Sequence, residues 1–281
     1  MKGWLITGVS GGLGQALAKA VLVRGDRVVG TVRRLEDKTA FEAAAQPGQA
    51  IGLLVDIADH DAIAPAIAEA EAALGQIDFL VNNAGYGIVG AIEEVSIAEA
   101  KALFNVNVFG AVAMIQAVLP GMRARRSGQI VNITSISGFA PWSGTAIYGA
   151  SKYALECIGQ TLAQEVKELG IHVTNVAPGS FRTGFAGRGL VEAARAIADY
   201  DQGARLAKLS LLEGQGREQG DPAKAAEAIL TALGAAEPPM HLFLGKDALH
   251  YGRDQFTFIA SEMDRWEALT TATDFEPCTT A

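Results

Sequence analysis

The chain reads as an α/β protein built on a doubly wound parallel sheet of about seven strands, with helices on both faces. Three observations predict this. Short runs that are apolar throughout recur along the sequence, and each is followed by an Ala-rich stretch of helical periodicity. The alternation is unbroken as far as Gly179. A strand without a polar face must be covered on both sides, which two helix layers around a parallel sheet provide. Right-handed crossovers then give a three-layer sandwich.

In chain order the predicted strands are 4–7, 27–32, 50–56, 79–82, 129–134, 172–177 and 241–244, and the predicted helices 13–24, 59–74, 97–125, 147–169 and 222–233. Arg123, Arg125 and Arg126 end the long third helix, where cations complement the helix dipole. Asp221-Pro222 reads as an N-cap followed by proline at the first helical position. From Gly179 to Gly220 there is no strand signal, only a patchy helical pattern near 190–212 and many glycines. A long irregular insert in a compact α/β unit suits a substrate-binding lid, which we place at 180–220. Residues 247–281 form a C-terminal extension, and the whole chain, 1–281, is expected to be one domain.

Composition narrows the class. The 281 residues are 49% apolar and 19% charged, too hydrophobic for a disordered chain. The formal charge of −8 argues against a nucleic-acid partner. Cys157 and Cys278 make neither a disulfide framework nor a Cys-x-x-Cys motif, and His60, His172, His241 and His250 lack ligand spacing, so no metal is expected. Cys157 is expected to be buried packing in its helix. The apolar start is too short for a secretion signal. The weakly polar segment 110–122 is interrupted by Gln116 and Pro120 and falls short of the roughly 18 residues a spanning helix needs. A cytoplasmic protein without a membrane partner is the expectation. Its mean hydropathy of +0.21 then belongs to a large core or a subunit interface.

The first predicted strand runs into Thr7-Gly8-Val9-Ser10-Gly11-Gly12-Leu13-Gly14, and a helix follows. Unpaired N–H groups at a helix start bind phosphate, and glycines let the backbone come close to it. Further landmarks follow in order: Asp56-Ile57, Asn82-Asn83-Ala84-Gly85, Asn107-Val108-Phe109-Gly110, Ser135, Tyr148-Gly149-Ala150-Ser151-Lys152, and Pro178-Gly179 with Thr183. Together they resemble the short-chain dehydrogenase/reductase superfamily over about residues 3–183. The segment 238–248 looks like its hydroxysteroid-dehydrogenase-like branch.

The resemblance implies a Rossmann-like fold and a nicotinamide dinucleotide held by Gly8, Ser10, Gly12, Leu13, Gly14, Arg33, Arg34, Asp56, Ile57, Asn83, Ala84, Gly85, Tyr148, Lys152, Pro178, Gly179, Phe181 and Thr183. It implies Asn107, Ser135, Tyr148 and Lys152 as the catalytic group. Tyr148 and Lys152 stand four apart and so share a helix face, where the lysine cation would lower the phenol pKa toward a useful value. Ser135 would stabilise the substrate oxygen, and Asn107 would hold a proton-relay water. Val32 sits where NAD-preferring relatives carry an aspartate, and Arg33 follows it. A guanidinium grips phosphate through paired charge-assisted bonds, so NADP(H) is expected over NAD(H), although NAD(H) stays open. Gly11 replaces a second basic residue common in NADP-preferring relatives.

Tyr86, Phe139, Trp142 and Phe185 neighbour these landmarks and are the candidates for a substrate pocket. The expected activity is alcohol–carbonyl interconversion on a small apolar or aromatic molecule, in a homodimer or homotetramer. A 3-oxoacyl carrier-protein reductase and a non-catalytic NADP-binding sensor remain the alternatives.

Overall fold

The structure is a computed structural model and describes residues 1–275. Cys278 lies outside the described residues. The elements are β1 (Gly3–Thr7), α1 (Gly12–Val23), β2 (Arg27–Val32), α2 (Leu35–Ala43), β3 (Ala50–Leu54), α3 (Ile63–Leu74), β4 (Phe79–Asn82) and β5 (Gly87–Val89). There follow α4 (Ile97–Phe104), α5 (Ala111–Arg125), β6 (Gly128–Ile133), α6 (Ala146–Val166) and β7 (Ile171–Pro178). Last come α7 (Phe185–Arg188), β8 (Leu190–Glu192), α8 (Leu206–Glu213), α9 (Pro222–Leu233), β9 (His241–Leu244) and α10 (Lys246–Thr271).

Seven strands form one parallel sheet in the order β3-β2-β1-β4-β6-β7-β9, which is the predicted Rossmann-like sandwich. Successive strand residues serve opposite faces. Ile6, Val28, Val81, Val131 and Val176 pack with Leu17 and Val21 of α1 and Ile229 and Leu233 of α9. Leu5, Val29, Leu80, Ile130 and Val173 pack with Ile67 of α3, Met114 and Val118 of α5 and Leu162 of α6. Each such side chain contributes about 1.5–3 kcal/mol on burial, which is why the strands read as uninterrupted apolar runs.

The run Ile97–Arg125 is 29 residues long and apolar enough to cross a membrane by length and composition. Here it lies against the sheet, with Met114, Ile115, Val118 and Met122 in the core. It starts on a capping box between Ser96 and Glu99 and widens into a π-helical turn at Asn105–Gly110. That turn carries Asn107. Asp221 caps α9 as expected, accepting the N–H groups of Ala223 and Lys224.

Five features depart from the expectation. Strand β3 stops at Leu54 rather than residue 56. Helix α2 buries only Phe41, so its sequence carries little apolar period. The 26-residue α10 buries only Ala248 and Gly252, and its apolar stripe, Phe256, Ile259, Met263 and Trp266, stays exposed. The insert does contain a strand: β8 pairs in parallel with β5, three residues each. Strands this short exist only through their long-range partner. Carboxylates hold the insert in place. Glu94 accepts the Ile197 N–H at 2.7 Å, Glu99 that of Ala194 at 2.9 Å, and the Tyr200 hydroxyl donates to Glu93 at 2.9 Å. Cys157 is exposed on α6, not buried, because its position faces away from the sheet.

Candidate active site

In the sheet order β3-β2-β1-β4 the chain crosses over at β1, and ligands of such sheets sit above the carboxyl ends of the strands at that switch point. The glycine loop lies there. Gly8 and Gly12 have φ of +74° and +59°, in the left-handed region that favours glycine. A Cβ on Gly14 would sit 2.2 Å from Asn83 Nδ2 and 2.4 Å from the Gly8 carbonyl oxygen, so the first turn of α1 approaches the loop as only glycine allows. The Asn83 amide in turn donates to the Thr7 and Gly8 carbonyls, and Thr7 Oγ1 accepts the N–H groups of Asn83 and Ala84. Gly11, the N-cap of α1, offers no side chain to the helix N–H groups. A cradle of backbone donors without a protein acceptor fits a pyrophosphate.

Ser10 is exposed beside this cradle, whereas Leu13 turns its side chain into the core. Asp56 is exposed and accepts the Ala58 N–H at 3.0 Å, and Ile57 is buried. Arg33 is exposed at the end of β2 and has no ion pair or hydrogen bond among the described residues. Arg34 is engaged by its own chain, bonding Asp37 at 2.8 Å and Glu36 at 3.1 Å. Only the first arginine is therefore free for a ligand. Thr183 reaches over the glycine loop, its Cβ 3.4 Å from where a Gly12 Cβ would stand. Phe181 points elsewhere, its ring against Gly220 and Gly245.

Asn107, Ser135, Tyr148 and Lys152 converge beside this crevice. Ser135 follows β6, accepts the Ser137 N–H at 3.1 Å, and lies close enough to the Tyr148 hydroxyl to favour its ionised form. The Tyr148 ring keeps some exposure, but its hydroxyl is surrounded by protein, and desolvation pushes it up to about 12 despite the opposing influence of Ser135. Lys152 is 6% exposed, and burial pulls its amine down to about 8. Its Nζ donates to the Ile133 carbonyl at 2.8 Å and stands 5.9 Å from the Tyr148 ring centroid. Burial thus outweighs any lowering of the phenol by its lysine in this structure. Both groups are stripped of water, and the ammonium is turned to a carbonyl rather than to the phenol. Asn107 is clasped by the Tyr86 backbone, accepting its N–H at 3.0 Å and donating to its carbonyl at 2.8 Å. It also donates to Ser151 Oγ at 3.1 Å. Ser151, fully buried, is a support the sequence reading passed over although it lies inside the Tyr148–Lys152 motif. A Cβ on Gly85 would fall 3.0 Å from Asn107 Oδ1 and 3.7 Å from Lys152 Nζ, so this glycine keeps the space between the two open.

The four pocket candidates divide. Phe185 lies 5.6 Å from the Tyr148 ring, centroid to centroid, and Tyr86 packs in the same cluster. Phe139 does not join them. Its ring packs at 4.9 Å on Phe243 and at 5.7 Å on Phe256, seating α10. Trp142 meets Tyr251 of α10 edge-on at 4.8 Å and lines a cavity of about 480 Å³ with Asp254 and Phe258. The extension captured both rings, which adjacency in sequence could not reveal. No cluster of three or more potential metal ligands occurs among the described residues.

A dinucleotide cradle at the switch point, with a buried Ser–Tyr–Lys–Asn group beside it, defines an oxidoreductase of the nicotinamide-dependent α/β class. Residues 2–190 match the family described as short chain dehydrogenase, and the chain belongs to that family. It is similar to a short-chain dehydrogenase from Streptomyces avermitilis, at a TM-score of 0.91 and 38% identity over 98% of this chain and 100% of that one. A metagenomic short-chain oxidoreductase in complex with NADP matches at 0.60 and 36%, over 65% of this chain and 85% of that one. A 3-ketodihydrosphingosine reductase from Bacteroides thetaiotaomicron is 35% identical over 86% of this chain and 87% of its own.

Proposed function

We propose that this oxidoreductase interconverts an alcohol and a ketone or aldehyde with NADP(H), and that Tyr148 is its general acid/base. The observation that carries the reading is the gathering of Tyr148, Ser135 and Lys152 beside the glycine cradle, with Lys152 Nζ 5.9 Å from the Tyr148 ring centroid. Gly8, Gly12 and Gly14 would hold the pyrophosphate, Arg33 the 2′-phosphate, and Lys152 with the 178–183 turn the nicotinamide end. Bound cofactor supplies hydride chemistry at the substrate carbon. Tyr148 gives its proton to the carbonyl oxygen in reduction and recovers it in oxidation, while Ser135 donates a hydrogen bond to the same oxygen. Asn107, across the open space at Gly85, links Lys152 to solvent through water.

Arg33 supports the choice of NADP(H): it is free, and Val32, 3% exposed, puts no carboxylate at the end of β2 to repel a phosphate. Phe185 and Tyr86 around Tyr148 support an apolar or aromatic substrate. The relative named for a sphingoid ketone agrees with that polarity. Phe109, 53% exposed, and the exposed Tyr153 and Cys157 give the α4–α6 side an apolar surface, in keeping with a homodimer or homotetramer.

The deciding experiment compares the wild type with Tyr148→Phe, using NADPH and a panel of apolar ketones. Turnover should vanish in the variant while NADPH affinity is kept. A variant that still reduces ketones overturns the role of Tyr148. A wild type that binds NADPH but reduces no carbonyl establishes the sensor reading.

A further inference from the structure

Asp247 stands at the meeting of β9, α10 and the turn after β7, and is itself none of the residues assigned above. Its Oδ2 accepts the Ser180 N–H at 2.6 Å and its Oδ1 accepts the Ala248 N–H at 2.9 Å. Two glycines make room for that carboxylate. A Cβ on Gly179 would lie 2.2 Å from Asp247 Oδ1, and one on Gly245 would lie 2.5 Å from it. Gly245 has φ of +100°, so the chain leaves β9 through a turn that few other residues adopt. Gly179 has no such backbone demand, and the three atoms a side chain there would meet first all belong to that carboxylate.

The consequence concerns the 178–183 turn. Pro178 is paired with Leu244 in the sheet, and the Gly179 N–H donates to the Leu244 carbonyl at 2.9 Å. The next N–H, of Ser180, goes to Asp247. Two successive amides are thus pinned by the segment that starts the extension. Past them the chain continues to Thr183 above the glycine loop. A carboxylate bonded to an amide is a strong, charge-assisted contact. Asp247 also lies in the first turn of α10, where a negative charge is favoured.

We infer that Asp247 is a positioning residue that fixes the 178–183 turn for the cofactor and ties its geometry to α10. The cofactor half of this inference rests on the function proposed above; the fixing of the turn does not. Asp247 touches neither cofactor nor substrate and acts through Ser180 and Gly179. Asparagine in its place keeps the volume but sets an NH₂ against one of the two N–H donors. Alanine removes both acceptors. Gly179→Ala should reproduce the loss with Asp247 intact, because the new methyl group displaces the carboxylate.

The test takes the wild type, Asp247→Asn, Asp247→Ala, Gly179→Ala and the double variant Gly179→Ala/Asp247→Ala. Three quantities are read: hydrogen exchange of a peptide spanning 178–184, NADPH affinity by fluorescence titration, and thermal stability without cofactor. Exchange in that peptide should rise at least tenfold in Asp247→Ala, with NADPH affinity falling about tenfold and thermal stability nearly unchanged. Asp247→Asn should fall between it and the wild type. In the double variant the two effects should not add, since both remove one contact. Unchanged exchange and unchanged affinity in Asp247→Ala overturn the inference, as does a loss of affinity that merely tracks global unfolding. If the turn loosens but even the wild type fails to bind NADPH or NADH, the proposed function and the cofactor half fall together, and the structural clamp stands.

Discussion

Two enclosed side chains four residues apart set the chemistry of the site, and their titration gives a direct handle on them. Lys152 holds its proton to about 8 instead of the ordinary 10.5, because burial disfavours the ammonium. Between those values the unfolded chain binds the proton that the folded chain has released, so stability rises with pH. Tyr148 has the opposite sign: pushed up to about 12 from 10.0, it withdraws stability only at more alkaline pH. From pH 8 to 10 the lysine therefore acts alone, worth about 2 kcal/mol across the window. Denaturant unfolding of wild type and Lys152→Met at pH 8, 9 and 10 should show this rise in the wild type only. Parallel pH dependences in the two proteins would refute a desolvated ammonium. At β2, Arg33→Ala should raise KM for NADPH at least tenfold and leave that for NADH within about twofold, as expected for loss of a bidentate phosphate contact. The same change at Arg34 should do much less, because Glu36 and Asp37 already occupy it. Equal effects of the two substitutions would contradict that division.

The glycine cradle is a property of an element junction rather than of any one residue. Three parts must come together: the end of β1, the start of α1, and Asn83 after β4, whose amide holds the Thr7 and Gly8 carbonyls. Gly14→Ala should favour α1 on helix propensity alone, by roughly 1 kcal/mol. The packing predicts the reverse, since the new methyl group meets Asn83 Nδ2 at 2.2 Å. Overpacking of this kind costs about 1–3 kcal/mol. Melting of the variant should drop by several degrees and NADPH affinity should collapse; a variant as stable as the wild type would show that the junction can relax. The insert obeys a similar logic. Its strand β8 exists because β5 lies beside it, and Glu93, Glu94 and Glu99 collect its amides and its tyrosine. Such ties come from 90 to 110 positions away in sequence, where local patterning carries no signal.

At the scale of the whole molecule, the mean hydropathy of +0.21 is divided between a sheet covered on both faces and apolar surface left on the helices. Phe109 on the π-turn, with Tyr153 and Cys157 on α6, exposes part of that surface on the side where a second subunit is proposed. Wild type should therefore elute with at least twice the monomer mass in light scattering, and Phe109→Asp should shift it toward the monomer. A wild-type monomer at micromolar concentration would remove the interface. Helix α10 enlarges the molecule in another direction. Tyr251 and Phe256 draw Trp142 and Phe139 away from Tyr148, leaving Phe185 and Tyr86 as the aromatic surface beside the catalytic hydroxyl.

What the amino-acid sequence determined by itself is the part governed by local rules. Apolar runs of strand length, helical periodicity and ordered glycine motifs were enough for the parallel sheet and the family. These signals survive in one dimension because each residue type is demanded by its immediate backbone or by its place on a strand or helix. Tertiary structure alone decided the rest. The release of Arg33 and capture of Arg34, the upward shift of Tyr148 and downward shift of Lys152, the fate of Phe139 and Trp142, and the clamp of Asp247 on Ser180 all depend on what lies nearby in space. Desolvation and hydrogen bonding act over a few ångströms between groups far apart in sequence, 67 residues at Ser180 and Asp247 and 107 at Glu93 and Tyr200, and no period or spacing records that distance.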